Sequence, residues 1–352
     1  MVMQAGSSSI KAVGGAHGAP DVQARQDPSS PLSVSELMER IALAGRQKSL
    51  PWSSLAQGDV VLGPGDLAIA AGRTGHGKTA LLVNLLAFWL ERHPDQTFAF
   101  VSYELPPEAV LLRLISIFSR IEGERGWSYQ EAKRYIQGEI TGHGGAHEEL
   151  ERAIARVARL EQRIRVIYQP DWNVDILSAH MANAAWNCRF GAVLVDYLQV
   201  VPPPEAMPEG RERAIGAVSR RLKQLAVALE CPLIAGAQVK GEAARLSELP
   251  PGRLEDLAVM EAIGRRRPQL HLLEEGGGEQ EADLVFGLLN YQADYFAARE
   301  EDEAQRLARI ENAGAAPFEI AVIKNRHGQL GSAELVLESH TGYIRDPGIF
   351  GY

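Results

Sequence analysis

The chain has 352 residues, 45% of them hydrophobic, and a formal net charge of −9. This length suffices for one large or two ordinary domains, and the acidic balance argues against a surface that is basic throughout. No apolar run is long enough to span a bilayer, and the first residues lack the charged-then-apolar pattern of a signal peptide. The composition therefore favours a soluble cytoplasmic protein without a membrane partner.

The chain begins with a segment of different composition. Residues 1–30 are rich in Gly, Ser, Ala and Pro, which predicts a disordered tail. Ser33 and Glu36 then have the spacing of a capping box, so residues 31–48 are predicted to form a helical linker before a domain at 49–352. The apolar face of this linker would pack either on its own domain or on a neighbouring subunit.

The strongest motif follows an apolar run at 67–71, which predicts a buried strand. Residues 72–79 match G-x-x-x-x-G-K-T, the phosphate-binding P-loop, and residues 80–90 predict a helix whose N-terminus faces the phosphates. Glycines let successive N–H groups turn inward, Lys78 reaches the β- and γ-phosphates, and the Thr79 hydroxyl is a ligand for Mg²⁺. The predicted nucleotide-binding residues are Gly72, Arg73, Thr74, Gly75, His76, Gly77, Lys78, Thr79 and Ala80.

Strands and helices alternate through the rest of the chain. Apolar runs predict strands at 97–102, 165–168, 192–195, 232–237 and 283–289, and helical periodicity predicts helices at about 108–121, 147–163, 174–188, 211–229 and 297–311. Residues 122–146 form a polar, Gly-rich connection, and 318–323 with 333–337 predict a hairpin. The alternation predicts an α/β fold: a mostly parallel, twisted sheet with helices on both faces and a C-terminal β-hairpin.

Three of these strands are followed at once by a polar side chain: Glu104, Asp196 and Gln238. The carboxyl ends of parallel strands share one edge of a sheet, so these groups are expected to converge on the P-loop. Asp196 would join Thr79 in holding Mg²⁺, Glu104 would act as general base toward water, and Gln238 would sense the γ-phosphate. Each could instead be an ordinary polar residue at a strand end.

Two basic features leave alternatives open. Lys324 and Arg326 lie on the predicted hairpin and either reach a neighbour's γ-phosphate as fingers or belong to a solvated edge. Arg265, Arg266 and Arg267 form a basic cluster in an acidic chain, and either contact nucleic-acid phosphates or lie in a solvated loop.

Taken together, these motifs resemble the C-terminal RecA-like motor domain of DnaB-type replicative helicases. The resemblance covers about residues 33–346. It is carried, in the family's order, by the segments 72–79, 102–105, 195–199, 219–226, Gln238, 266–270, 279–285 and 324–328.

The resemblance implies an ATP-dependent, ring-forming DNA helicase or translocase, typically a homo-hexamer, with ATP and Mg²⁺ at its subunit interfaces. It implies that Glu104 is the catalytic glutamate, Asp196 the Walker B aspartate and Gln238 the γ-phosphate-linked glutamine. Lys324 and Arg326 match the pair that reaches into the adjacent subunit's site.

The same resemblance implies partners. Single-stranded DNA would pass through a central channel, held by the backbone of the loop that contains Leu273, Glu274, Glu275 and Gly276. The setting would be DNA replication or a phage, plasmid or accessory DNA process, with a loader or accessory replication protein as a candidate partner.

Three departures keep a second function open. The family's N-terminal domain has no counterpart, Leu273 stands where the family often has arginine, and the segment between Gln238 and Arg265 is longer than usual. The alternative is a nucleotide-switched ATPase that assembles and recruits a partner without unwinding DNA. A recombinase-like strand exchange is a third option.

Overall fold

The structure is a computed structural model, and it divides the chain into two units, Met1–Gly45 and Arg46–Tyr352. It describes residues 38, 47–56, 60–120, 126–141, 145–205, 210–239, 249–270, 278–299, 302–312 and 314–347. The predicted tail lies outside these residues. Of the first unit only Met38 is described, and it is helical and exposed. The helical linker at 31–48 therefore stays a prediction.

In the second unit, one nine-stranded sheet forms the centre of the fold. The strands are β1 Lys48–Ser49, β2 Val61–Leu62, β3 Leu67–Gly72, β4 Thr97–Ser102, β5 Ile164–Tyr168, β6 Phe190–Asp196, β7 Leu233–Gln238, β8 Leu284–Asn290, β9 Ala315–Asn325, β10 Gly331–Glu338 and β11 Tyr343–Arg345. β1 and β2 form a separate antiparallel pair, and the order in the large sheet is β11-β10-β9-β8-β3-β7-β6-β4-β5. The pairs from β8 to β5 are parallel, and those from β8 to β11 are antiparallel, which confirms the mostly parallel sheet and the C-terminal hairpin.

Helices cover both faces of the sheet. Alternate residues of a strand point to opposite faces, so Ala68 and Ala70 of β3 enter the core under the helices Lys78–Arg92 and Pro107–Phe118. Ile69 and Ala71 enter the core on the other face, under the helices Val174–Ala184 and Arg211–Leu229. No helix in the described part of the chain combines the length and apolar character needed to cross a bilayer. The helices are α1 Ser53–Ala56, α2 Lys78–Arg92, α3 Pro107–Phe118, α4 Tyr129–Ile136, α5 Gly145–Leu160, α6 Val174–Ala184, α7 Arg211–Leu229, α8 Leu257–Gly264, α9 Tyr291–Ala297 and α10 Glu303–Asn312.

The predicted helix at 297–311 was wrong in its extent, because two helices occupy this region. Asn290 ends β8, and its side chain accepts hydrogen bonds from the N–H groups of Gln292 and Ala293, so α9 starts directly at the strand end. The Asp302 carboxylate accepts from the Gln305 N–H and starts α10 separately. Side-chain caps therefore set these boundaries, rather than the charge pattern.

The connection at 122–146 also contains a helix that the periodicity analysis missed, α4. Its N-terminus is a capping box: the Ser128 hydroxyl accepts from the Glu131 N–H at 3.2 Å, and the Glu131 carboxylate accepts from the Ser128 N–H at 2.8 Å. The helix is short and mostly polar, so its cap was the stronger local signal.

Two edges of the sheet matter for function. The carboxyl edge is where β3, β4, β6, β7 and β8 end. The hairpin edge is the opposite one, where β9 turns into β10 at residues 326–330. Ala68 pairs with Leu284, which pairs with Asn325, so the end of β9 lies beside the start of β3. Gly72 lies four residues further along β3, about 13 Å at about 3.3 Å per residue.

Candidate functional site

The P-loop occupies the carboxyl edge, between β3 and α2. Gly75 has φ 80° and Gly77 has φ 77°, a region that favours glycine. A Cβ on Gly77 would also lie 3.1 Å from the Phe318 ring, and one on Gly75 would lie 3.3 Å from Ile310 Cδ1. Both glycines are therefore required by backbone conformation and by the walls of the site.

Lys78 lies within this loop rather than in solvent. Its Nζ donates to the carbonyl oxygens of Gly72 at 3.0 Å and Arg73 at 3.1 Å. Burial lowers the pKa of Lys78 to about 8, against the opposing charges of Asp196 and Glu104. Two backbone carbonyls thus hold the ammonium inside the P-loop, and burial weakens its charged form.

Thr79 and Asp196 meet at the same edge. The Thr79 hydroxyl donates to Asp196 Oδ2 at 2.8 Å, and Asp196, at the end of β6, is only 5% exposed. Burial raises the pKa of Asp196, although the Thr79 hydrogen bond and the Lys78 charge act in the opposite direction. A hydroxyl and a carboxylate are hard oxygen donors, and this pair fits Mg²⁺.

Glu104 and Gln238 line the same cavity from the ends of β4 and β7. Gln238 Nε2 donates to the Thr74 hydroxyl of the P-loop at 3.1 Å. The Gln199 side chain holds the backbone of Gln238, accepting from its N–H at 2.9 Å and donating to its carbonyl at 2.8 Å. The structure therefore brings together the P-loop, Glu104, Asp196 and Gln238, as predicted for this edge.

The cavity has a volume of about 750 Å³ and extends beyond the P-loop. Its far wall is made by α4, through Ser128 and Tyr129, and by the turn between β10 and β11, which includes His340. Asn84 of α2 holds this turn, donating to the Gly342 carbonyl at 2.7 Å. The space suits a ligand larger than a phosphate group.

A buried polar network behind the P-loop was not predicted from the sequence. Asp294 of α9 is 2% exposed at its side chain; one oxygen lies 3.0 Å from His76 Nε2 and the other 2.5 Å from Arg73 Nη2. Burial lowers the pKa of His76, so a neutral imidazole donates to the carboxylate. Burial alone would raise the pKa of Asp294, but the hydrogen bond from His76 and the charge of Arg73 outweigh it and lower the pKa.

Asn290 completes this support. Its Nδ2 donates to the Gly75 carbonyl at 3.0 Å, and its backbone N–H donates to His76 Nδ1 at 3.3 Å. It ends β8 as Gln238 ends β7, so the search for polar residues at strand ends, applied to one more strand, would have found it. Asp294 carries no such signal, because it is brought to the loop by α9.

Lys324 and Arg326 do not join this cavity within one chain, because they lie at the hairpin edge. Lys324 Nζ donates to the Glu279 carbonyl at 2.5 Å. Arg326 donates from Nη2 to the Gln280 carbonyl at 2.9 Å and from Nη1 to Asp283 Oδ1 at 3.1 Å. In the described part of one chain, the P-loop therefore lies at the carboxyl edge, whereas Lys324 and Arg326 lie at the hairpin edge.

The predicted nucleic-acid residues are only partly described. Arg265 is exposed at the end of α8. The Arg267 side chain is paired with the buried carboxylate of Glu319 at 2.5 Å, and this hydrogen bond raises the pKa of Arg267. The Arg266 carbonyl accepts from Arg73 Nη1 at 3.2 Å, which connects the cluster to the P-loop. Glu274, Glu275 and Gly276 lie outside the described residues.

Comparisons with known proteins agree with this geometry. The chain is 25% identical over 295 residues to a probable plasmid replicative DNA helicase of Chlamydia psittaci, covering 83% of this chain and 54% of that protein. It is 26% identical over 272 residues to the replicative DNA helicase DnaC of Bacillus subtilis (strain 168), covering 77% of this chain and 50% of the relative. The chain spans about half the length of the curated relatives it matches.

Two solved structures share the fold. A DnaB-like replicative helicase, solved with its interactions with primase, aligns with a TM-score of 0.66 and 21% identity over 89% of this chain and 67% of the other. An ATPase domain aligns with a TM-score of 0.65 and 20% identity over 89% of this chain and 96% of the other. The family model described as DnaB-like helicase C terminal domain matches residues 55–346, so this chain belongs to that family.

Proposed function

We propose that this chain is the ATP-hydrolysing motor of a ring-forming DNA helicase that moves on single-stranded DNA. The observation that supports it most is that two sets of groups needed for ATP hydrolysis lie at different edges of the sheet. The phosphate-binding groups share the carboxyl edge, whereas the late cations lie at the hairpin edge of the same chain. A head-to-tail ring joins such unlike edges of successive copies, and a hexamer is the expected closed form.

In this proposal each residue of the carboxyl edge has one task. Lys78 binds the β- and γ-phosphates, and Gln238, through its bond to Thr74, responds to the γ-phosphate. Glu104 orients water and accepts its proton. Thr79 and Asp196 would hold Mg²⁺, which supplies charge neutralisation on the phosphates when bound. Arg326 of the next copy would stabilise the charge that develops in the transition state.

Single-stranded DNA is the proposed track. Arg265 is exposed at the end of α8, and the carbonyl of the next residue, Arg266, accepts a hydrogen bond from Arg73 of the P-loop. A DNA phosphate bound at Arg265 would therefore lie one residue from a contact with the P-loop. Backbone N–H groups and a small number of cations suffice for a loop that follows DNA phosphates, which is compatible with a net charge of −9. A loader or accessory replication protein remains a proposed partner.

The test combines ATP turnover with strand displacement on a forked duplex. The intact protein is expected to hydrolyse ATP faster with single-stranded DNA and to separate the strands only with ATP. Lys78→Ala removes the phosphate contact and Glu104→Gln removes the base, so both are expected to lose turnover by about a hundredfold or more. Glu108→Gln, an exposed site in the first turn of α3, is the matched control and should behave like the intact protein.

The outcomes separate the competing functions. Turnover and assembly without strand displacement would support the nucleotide-switched assembly protein instead. If the protein binds neither single-stranded DNA nor duplex, and neither changes its rate of ATP hydrolysis, the proposed DNA motor function is contradicted.

A further inference from the structure

Asp283 is the residue around which the hairpin edge is built. It follows Ala282 just before β8, and its carboxylate is 6% exposed. Oδ2 accepts from Lys223 Nζ at 2.5 Å and from the Leu67 N–H at 2.9 Å, while Oδ1 accepts from Arg326 Nη1 at 3.1 Å. One buried carboxylate thus joins α7, the start of β3 and the end of the hairpin strand.

The backbone of Asp283 repeats these connections. Its N–H donates to the Leu67 carbonyl at 2.8 Å, and its carbonyl accepts from the Arg326 N–H at 2.9 Å. Burial alone would raise the pKa of Asp283, but the hydrogen bonds from Lys223 and Leu67 and the nearby cations outweigh it and lower the pKa. The carboxylate is therefore ionised at neutral pH and fixed on several sides.

The hairpin strand is shaped to meet this carboxylate. Val285 pairs with Lys324 but Phe286 pairs with Val322, so β9 has a register shift at Ile323, directly before the two cations. Such irregularities turn the side chains that follow them. Lys324 and Arg326, two residues apart, then lie on one face and bind the segment from Glu279 to Asp283.

The Arg326 side chain is anchored but remains 48% exposed. Its anchors are the Gln280 carbonyl and the Asp283 carboxylate, and both are on the same segment. A long cation held at one side and open at the other loses less conformational freedom on meeting a phosphate than an unanchored one does. This is what a finger that acts on another copy requires.

We propose that Asp283 is a positioning residue: it holds Arg326 in the orientation that serves the phosphate site of the neighbouring copy. Asp283 also accepts a hydrogen bond from Leu67, the first residue of β3. The P-loop follows the last residue of the same strand, so β3 connects the phosphate site at one end to the anchor of Arg326 at the other. This inference rests on the proposed function, in which Arg326 acts between subunits.

Subunit mixing tests the inference. Asp283→Asn keeps a hydrogen-bonding oxygen for Leu67 but removes the charge that holds Arg326, and it leaves its own phosphate site intact. Lys78→Ala loses its phosphate site but keeps its finger. When equal amounts of the two variants assemble at random into head-to-tail rings, roughly a quarter of the interfaces pair the intact phosphate site of an Asp283→Asn subunit with the intact Arg326 of a Lys78→Ala subunit. The ATPase rate of the mixture is then expected to exceed clearly the mean of the two variants measured alone.

Arg326→Ala mixed with Lys78→Ala is the reference, because it tests the action between subunits itself. If this reference gains activity and the Asp283→Asn mixture does not, Asp283 acts within its own chain and the inference is wrong. If neither mixture gains, the proposed arrangement between subunits fails first. Asp283→Glu, which keeps the charge but moves it outward, replaces Asp283→Asn in the same mixing experiment if the latter does not fold.

Asp66→Asn is the matched control. Asp66 lies at the same edge and contacts His327 at 3.2 Å and the Gly63 N–H at 2.6 Å, without a hydrogen bond to Arg326. It should retain its activity alone and gain nothing from mixing. An equal loss in Asp66→Asn and Asp283→Asn would indicate a general effect on the hairpin edge and would overturn the specific role.

Discussion

The two edges of the sheet differ in how far their paired ionisable side chains are exposed to solvent. At the carboxyl edge, His76 and Asp294 are almost fully buried and paired behind the P-loop. At the hairpin edge, Arg326 and His327 are about half exposed and rest against carboxylates from outside. The first arrangement preserves the shape of a binding site, and the second presents charge outward. The difference suggests that the first edge receives a ligand and the second serves something outside the chain.

The largest expected effect concerns the hairpin edge. Arg326→Ala should lower kcat for ATP by about a thousandfold, since a cation that reaches the transferred phosphate contributes about 10³ or more to the rate. The stability should change by less than about 1 kcal/mol, because Asp283 keeps its bonds to Lys223 and Leu67. Steady-state ATPase assays and urea unfolding give the two values.

Arg220→Ala is the control for this variant. Arg220 is an exposed cation that binds Glu281 of the same segment at 3.0 Å. It should keep its activity. A similar loss of kcat in both variants would show that Arg326 has no role beyond that of other cations at the hairpin edge.

The next effect concerns stability at the carboxyl edge. Asp294→Ala leaves Arg73 and His76 without their buried partner, and removing one member of a buried pair costs about 3 kcal/mol or more. ADP should also bind more weakly, because the P-loop loses its support. Urea unfolding and calorimetry measure both effects, with Asp171→Ala at an exposed position as control. An unfolding free energy unchanged within about 0.5 kcal/mol would show that the network is dispensable.

The smallest effect is a dependence on pH. Burial lowers the pKa of Lys78 to about 8, and bound phosphate would favour the charged form of this side chain. Affinity for ADP should therefore be nearly constant below about pH 8 and fall above it by up to about tenfold per unit, since the complex then has to take up a proton. Lys78→Arg stays charged over this range and should remove the slope. An equal slope in that variant would assign the titration to another group.

Much of the carboxyl edge could be predicted from the sequence, because its signals are local. A P-loop spacing and polar residues directly after apolar runs fix Lys78, Glu104, Asp196 and Gln238 at one edge once the strands are parallel. This rule was not applied to the last parallel strand, so it missed Asn290, which ends β8 as Gln238 ends β7. The cap at Ser128 was likewise visible as a four-residue pattern.

The rest could not be predicted, because it depends on contacts between distant segments. Asp294 reaches His76 only because α9 follows β8 without a loop. Arg267 was predicted either to contact nucleic acid or to lie in a solvated loop, and its ion pair with Glu319, which belongs to β9 and lies 52 residues away, was not foreseen. Spacing within one segment carries no information about either pair.

The central claim is that nucleotide is bound between two copies of this chain. Native mass spectrometry of the full chain, with and without a non-hydrolysable ATP analogue, Mg²⁺ and a single-stranded oligonucleotide, tests it most directly. The account predicts a closed multi-copy assembly that the analogue stabilises and that Arg326→Ala weakens. A particle that stays monomeric at every concentration with the analogue bound would contradict it.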